Sequence, residues 1–130
     1  MSAIRRLPLA ALLAGIVAST FVAEALANDY LGSYVARISR VDKFASDGYP
    51  LDNAAQVVRQ DRANVHRFGR ADREDELDPW FRSNSARARL QNLLQRPGAI
   101  GPRVRQAIMR GHPLIVVDVY RSRATVRILE

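Results

Sequence analysis

Between Ala71 and Pro79 the chain places five carboxylates, Asp72, Glu74, Asp75, Glu76 and Asp78, within seven residues, close behind His66, one of only two histidines. Three chemistries use groups of this kind. A calcium loop of the helix-loop-helix type needs oxygen ligands at alternate positions, a central glycine and a terminal glutamate. Acids do alternate at 72, 74, 76 and 78, but no glycine lies among them. Zinc needs paired histidines or cysteines; His66 and His112 are far apart and the chain has no cysteine, so no thiolate site, disulfide or cysteine nucleophile exists either. Glycoside hydrolysis needs two carboxyl groups held roughly 5 to 10 Å apart across a sugar cleft, a geometry that a run of acids does not supply. The simplest reading is a connector anchored on the core by Leu77, Trp80 and Phe81. Its acids would face water and neutralise Arg67, Arg70, Arg73 and Arg82. No metal site and no cofactor is expected.

A second carboxylate stands apart. Taking 100° per residue around a helix starting near Asn53, Asp61 falls within about 40° of Val58 and Val65, in the middle of the apolar stripe. A bare carboxylate there costs several kcal/mol, so Asp61 is predicted to be a structural buried carboxylate, paired with Arg62 or with an arginine from another element.

The cationic groups are arginines almost throughout, with Lys43 as the only lysine. They are unevenly spread: residues 28–78 hold 8 basic and 10 acidic groups, residues 79–130 hold 10 basic and 2 acidic. A basic half of this kind attracts phosphate, sulfate and carboxylate groups. Arg89 and Arg96 repeat at seven residues on one predicted helix, as do Arg103 and Arg110 on the next, and Arg121 and Arg123 follow in a predicted turn. These six are the candidate anion-binding residues, on a ridge formed if the two helix flanks face one way; ordinary solvation around an apolar face is the alternative.

The elements that must position these groups are short. Tyr30, Leu31, Tyr34, Val35, Ile38, Val41 and Phe44 fit one face of a helix over 29–45, and Ser46 to Pro50 is turn chemistry. Asn53 with Gln56 three residues on opens a second helix that runs to about Arg67. Ala86, Leu90, Leu93 and Leu94 mark a third, with Ser85 as its cap and Pro97-Gly98 as its stop, and Pro102 starts a fourth that ends at Gly111. Leu114–Tyr120 and Ala124–Leu129 read as strands about Arg121-Ser122-Arg123. Without glycine or asparagine there, a loose loop is expected rather than a tight two-residue turn. The predicted fold class is α+β: three to four short helices followed by a C-terminal two-stranded antiparallel β-hairpin.

Residues 1–27 carry Arg5 and Arg6, an apolar run from Leu7 to Val22 and a small-residue end, Ala25-Leu26-Ala27. That is the layout of a cleaved secretory signal, and the run is shorter than the roughly 20 residues of a membrane-spanning helix. The expectation is a periplasmic or secreted protein with one small globular domain, 28–130, and no transmembrane segment after cleavage. With no Gly-rich phosphate loop and no nucleophile motif, the leading functional reading is a non-enzymatic binding module. Its partner would be an anionic envelope component or an acidic protein, and self-association of the acidic and basic halves is a further expectation. One alternative is a winged-helix-like nucleic-acid binder, which export disfavours. The other is a small hydrolase using Asp61 and His66, which requires a cleft joining them.

Overall fold

Tyr34, Ala36 and Ile38 are fully buried, whereas Leu31 and Ser33 are exposed and Val35 and Arg37 half-buried. This two-residue period makes Tyr30–Arg37 a strand, β1, and overturns the helix expected over 29–45. Tyr30, Leu31, Val41 and Phe44, four of the residues that suggested a helical face, are among the exposed large apolar side chains. The computed structural model describes residues 29–130; the export signal expected in residues 1–27 lies outside them. Leu31–Glu130 forms one compact unit.

After β1 the chain makes a single 3-10 turn, Arg40–Lys43. Helix α1 spans Ala54–His66, α2 Asn84–Leu94 and α3 Pro102–Arg110. Strands β2, Leu114–Tyr120, and β3, Ala124–Ile128, complete a three-stranded antiparallel sheet in the order β1-β2-β3. Among the described residues the architecture is therefore α+β with three helices, and the C-terminal hairpin is two strands of a three-stranded sheet. Among the described residues no helix is long and apolar enough to cross a membrane.

Local chemistry explains the helix ends. Asn53 caps α1 by accepting from the Gln56 N–H at 3.0 Å. For α2 the cap is Ser83, whose Oγ accepts from the Ala86 N–H at 3.1 Å; the expected cap, Ser85, lies inside the helix. Pro102 occupies the first turn of α3, where a missing N–H costs nothing. Val57 and Val58 of α1, Leu90 and Leu94 of α2 and Ile108 of α3 share one core with Tyr34, Ile38, Ile115 and Val117 of the sheet region. Removing that apolar surface from water is the main favourable term in the fold.

Both edges of the sheet are covered. On the β3 side, Val126 N–H donates to the Ala99 carbonyl at 3.0 Å. On the β1 side the acidic connector does the work: Glu76 Oε1 accepts from Val35 N–H at 2.7 Å and Asp75 Oδ1 from Arg37 N–H at 2.8 Å. The Glu76 N–H returns a bond to the Val35 carbonyl at 2.8 Å. Unpaired strand edges invite pairing with another chain, and here carboxylates occupy the donors. Trp80 closes over the same strand at Gly32, where a Cβ would lie 2.8 Å from the indole.

The hairpin tip is tighter than its composition predicts. Val119 pairs with Ala124, and Tyr120 N–H donates to the Arg123 carbonyl at 2.9 Å, which leaves only Arg121 and Ser122 at the tip. No described residue other than glycine has a positive φ, so the tip does not use the left-handed turns that demand Asn-Gly. Its carbonyls are held from outside instead: Arg89 Nη2 donates to the Arg121 oxygen, and Arg96 Nη1 to the Ser122 oxygen at 2.6 Å.

Candidate functional site

Asp61 is buried, as its place on the apolar stripe predicts, and its partner is Arg62, the next residue on α1. Arg62 Nε donates to Asp61 Oδ2 at 2.8 Å and Nη1 donates to Asp78 Oδ2 at 2.9 Å. The guanidinium also sits over the Tyr34 ring, its Cζ 4.0 Å from the ring centroid. Arg62 is thus wholly buried between two carboxylates and an aromatic face, a setting that suits arginine's planar fork. Burial alone would lower its pKa, but the charge of Asp61 and the bonds to Asp78 and Asp61 raise it overall, so it stays a cation.

Asp78 completes the network. Oδ1 accepts from the N–H groups of Trp80, at 2.8 Å, and Phe81, at 2.7 Å; Oδ2 faces Arg62 and His66 Nε2, the latter at 2.7 Å. Because the carboxylate only accepts, His66 must carry its proton on Nε2. Burial pushes the Asp78 carboxyl up, but the His66 and Arg62 bonds outweigh it and hold the group below the usual carboxylate range. The acidic connector is therefore not the solvated segment its charge suggests. Asp78 is buried, Asp75 and Glu76 cap β1, and Glu74 pairs with Arg37 at 3.2 Å. Leu77, expected as a core anchor, is 79% exposed, while Trp80 and Phe81 do pack against the core.

A third buried carboxylate, Asp42, has no counterpart in the sequence reading. It accepts from Ser39 N–H at 2.9 Å and from Asn64 Nδ2 at 2.8 Å. Burial raises its pKa to about 6 despite those bonds, with the charges of Asp72 and Asp75 adding to the rise. The Asp61 carboxyl is also raised, again chiefly by burial, with Asp42 and Asp75 opposing the pull of Arg62. His66 lines a depression with Val65, Leu77, Asp78 and Arg82, and Asp61, 1% exposed, is not among its walls.

A separate convergence of arginines lies elsewhere. An open cleft of about 490 Å³ runs between α1 and α2, and Arg59, Arg67 and Arg87 line it together with Asn84, Gln91 and the single acid Asp47. Arg59 is held in place by Gln91 Oε1 at 2.9 Å and Asn84 Oδ1 at 3.2 Å. Arg87 is 3% exposed; its Nη1 donates to the carbonyls of Phe81 and Arg82, and its buried Nε has no hydrogen-bond partner. Burial, followed by the charges of Arg67 and Arg59, lowers the Arg87 pKa. Three cations thus share one cleft with one carboxylate among its walls, an arrangement that favours a bound anion.

The six arginines singled out from spacing separate into two groups. Arg89 and Arg96 converge on the hairpin tip with Arg121 and Arg123, where Arg123 also stacks on Tyr120 at 3.7 Å. Arg103 and Arg110 lie exposed on α3. A signal for the cleft was available: Arg59 and Arg67 stand eight residues apart, the spacing that returns to one helix face. No family model, curated protein or solved structure matches this chain.

Proposed function

We propose that this chain is a small exported binding module without chemistry of its own, and that it holds an anionic group in the cleft between α1 and α2. The observation that carries the reading is the meeting of Arg59, Arg67 and Arg87 in that cleft, with Arg59 braced by two amide side chains. Braced guanidiniums present a fixed fork to a carboxylate, sulfate or phosphate, so little ordering entropy is lost on binding. The ligand class is an anionic envelope component or an acidic segment of another protein. The tip arginines Arg121 and Arg123 extend the attraction at longer range. Export rests on the N-terminal pattern of residues 1–27.

Binding is tested by titrating heparin and inorganic phosphate into the protein while following Trp80 fluorescence and heat. Arg67→Gln, an exposed position, is expected to weaken binding about 10-fold, as removal of one charge-assisted contact does. Arg103→Gln on α3 is expected to change it little. Equal losses in both variants would show general charge attraction and sink the cleft. Export is tested separately by intact mass: a species beginning at Asn28 in the envelope fraction supports it, and full-length chain confined to the cytosol removes it.

A further inference from the structure

Asp42, Asp61 and Asp72 come from three separate segments, the 3-10 turn, α1 and the acidic connector, yet one carboxylate oxygen from each lies within 4.8 Å of the others. Two of the three residues are buried and the third is half-buried. Asp75 adds a further negative charge at close range to Asp42 and Asp61. Against these acids stands Arg62, which is shared with Asp78. Like charges at this spacing in a low-dielectric setting repel strongly, so the group needs a cation or protons among them.

A second observation distinguishes this cluster from a surface run of acids. Asp61 is 1% exposed; its Oδ2 accepts from Arg62, and its buried Oδ1 has no hydrogen-bond partner. Asp72 Oδ2 is likewise buried and without a partner. Buried carboxylate oxygens left bare are costly, and a shared counter-ion removes the cost from both at once. The N–H and Oγ of Ser39 both donate to Asp42 Oδ2 and Asn64 Nδ2 donates to Oδ1, which fixes the third carboxylate and leaves a lone pair on Oδ1.

We propose that Asp42, Asp61 and Asp72 form a binding site for a hard divalent cation, with calcium the best fit. All three ligands are oxygens, which select calcium and magnesium over the softer metals. The three oxygens lie within 4.8 Å of one another, close enough for a single calcium ion with ligands at about 2.4 Å to draw on all of them. Water supplies the remaining positions, entering beside the half-buried Asp72. The ion joins the acidic connector to α1 and to the turn after β1. It thereby supports the segment that caps the sheet edge, a role separate from anion binding in the arginine cleft.

The test is a melting series at pH 7.5 on the EDTA-treated chain of residues 28–130, with calcium chloride or magnesium chloride added, together with calorimetric titration. Calcium in large excess over Kd is expected to raise Tm by about 5 °C or more. Asp72→Asn, at a half-buried position, and Asp61→Asn, which removes the most confined charge, are each expected to weaken calcium binding at least about 10-fold while remaining folded by circular dichroism. Glu74→Gln, outside the cluster, is expected to respond as the unsubstituted chain does. No heat and no Tm change with either cation overturns the site, as does an equal response in Asp72→Asn. A chain whose Tm falls from pH 5 to pH 7.5 but ignores both cations holds a proton among the three acids, and that outcome also overturns it.

Discussion

Arg62 Nη1 donates to Asp78 Oδ2 across 2.9 Å with neither side chain exposed to solvent. The bond fastens α1 to the far end of the acidic connector, and the same carboxylate orders Trp80 and Phe81 through its other oxygen. Buried ion pairs contribute little net stability when intact, but breaking one leaves an uncompensated charge. Arg62→Ala strands Asp61 and Asp78 together. Chemical denaturation is expected to show a loss of about 3 to 5 kcal/mol, or no folded state at all. A loss under 1 kcal/mol, about that of a surface pair, would mean that water reaches the network.

The pH dependence follows from opposed shifts. Asp42, raised to about 6, and Asp61, also raised, bind protons more tightly folded than unfolded. Their contribution is fully present below the unfolded value near 4 and is lost as pH rises through the folded one. Asp78 and Glu74 are lowered, so their contribution is present above the unfolded value and is lost as pH falls through the folded one. In EDTA, Tm is therefore expected to peak near about pH 5 and to fall by several degrees toward pH 7.5. Asp42→Asn should flatten the upper limb. A curve that rises steadily to pH 7.5 would contradict the buried environment of these two acids.

Glu76 and Asp75 cover the N–H groups of β1, and their joint replacement by alanine exposes a strand edge. The double variant is expected to lose roughly 2 kcal/mol of stability, two charge-assisted bonds being partly replaced by water. It should also self-associate as concentration rises, read by light scattering on a sizing column. A monomer of unchanged melting temperature would show that the acids are ornamental to the edge.

Arg96→Ala is expected to cost about 1 kcal/mol, the usual worth of one bond to a carbonyl, and to speed amide exchange at Tyr120, whose N–H closes the tip. Arg110→Ala on α3 should do neither. Exchange at Tyr120 unchanged by the first substitution would show that the strands alone hold the turn.

Much of the fold was legible because the signals are local. Asn53 with Gln56, the leucines of α2, Pro102 and the β-branched run after His112 each act within a few residues of themselves, and each appears in the structure. β1 was not legible, because its buried series passes through the small Ala36 while the larger Tyr30, Leu31 and Val41 are exposed. The burial of Asp61 followed from helical periodicity. Its surroundings did not, since Asp42, Asp72 and Asp78 approach it only when three segments fold together. The acids of the connector were misread for the same reason: their partners are backbone amides of β1, 38 and 41 residues earlier, and composition counts only side-chain charges.

The hairpin tip has a kinetic corollary. Its carbonyls are gripped by Arg89 of α2 and by Arg96 just past the end of that helix, 32 and 26 positions away along the chain, and its own residues offer none of the left-handed geometry that lets a short turn close unaided. The turn is therefore expected to close after α2 has docked, and on that order substitutions at Arg89 and Arg96 are expected to quicken unfolding and leave the refolding rate almost untouched.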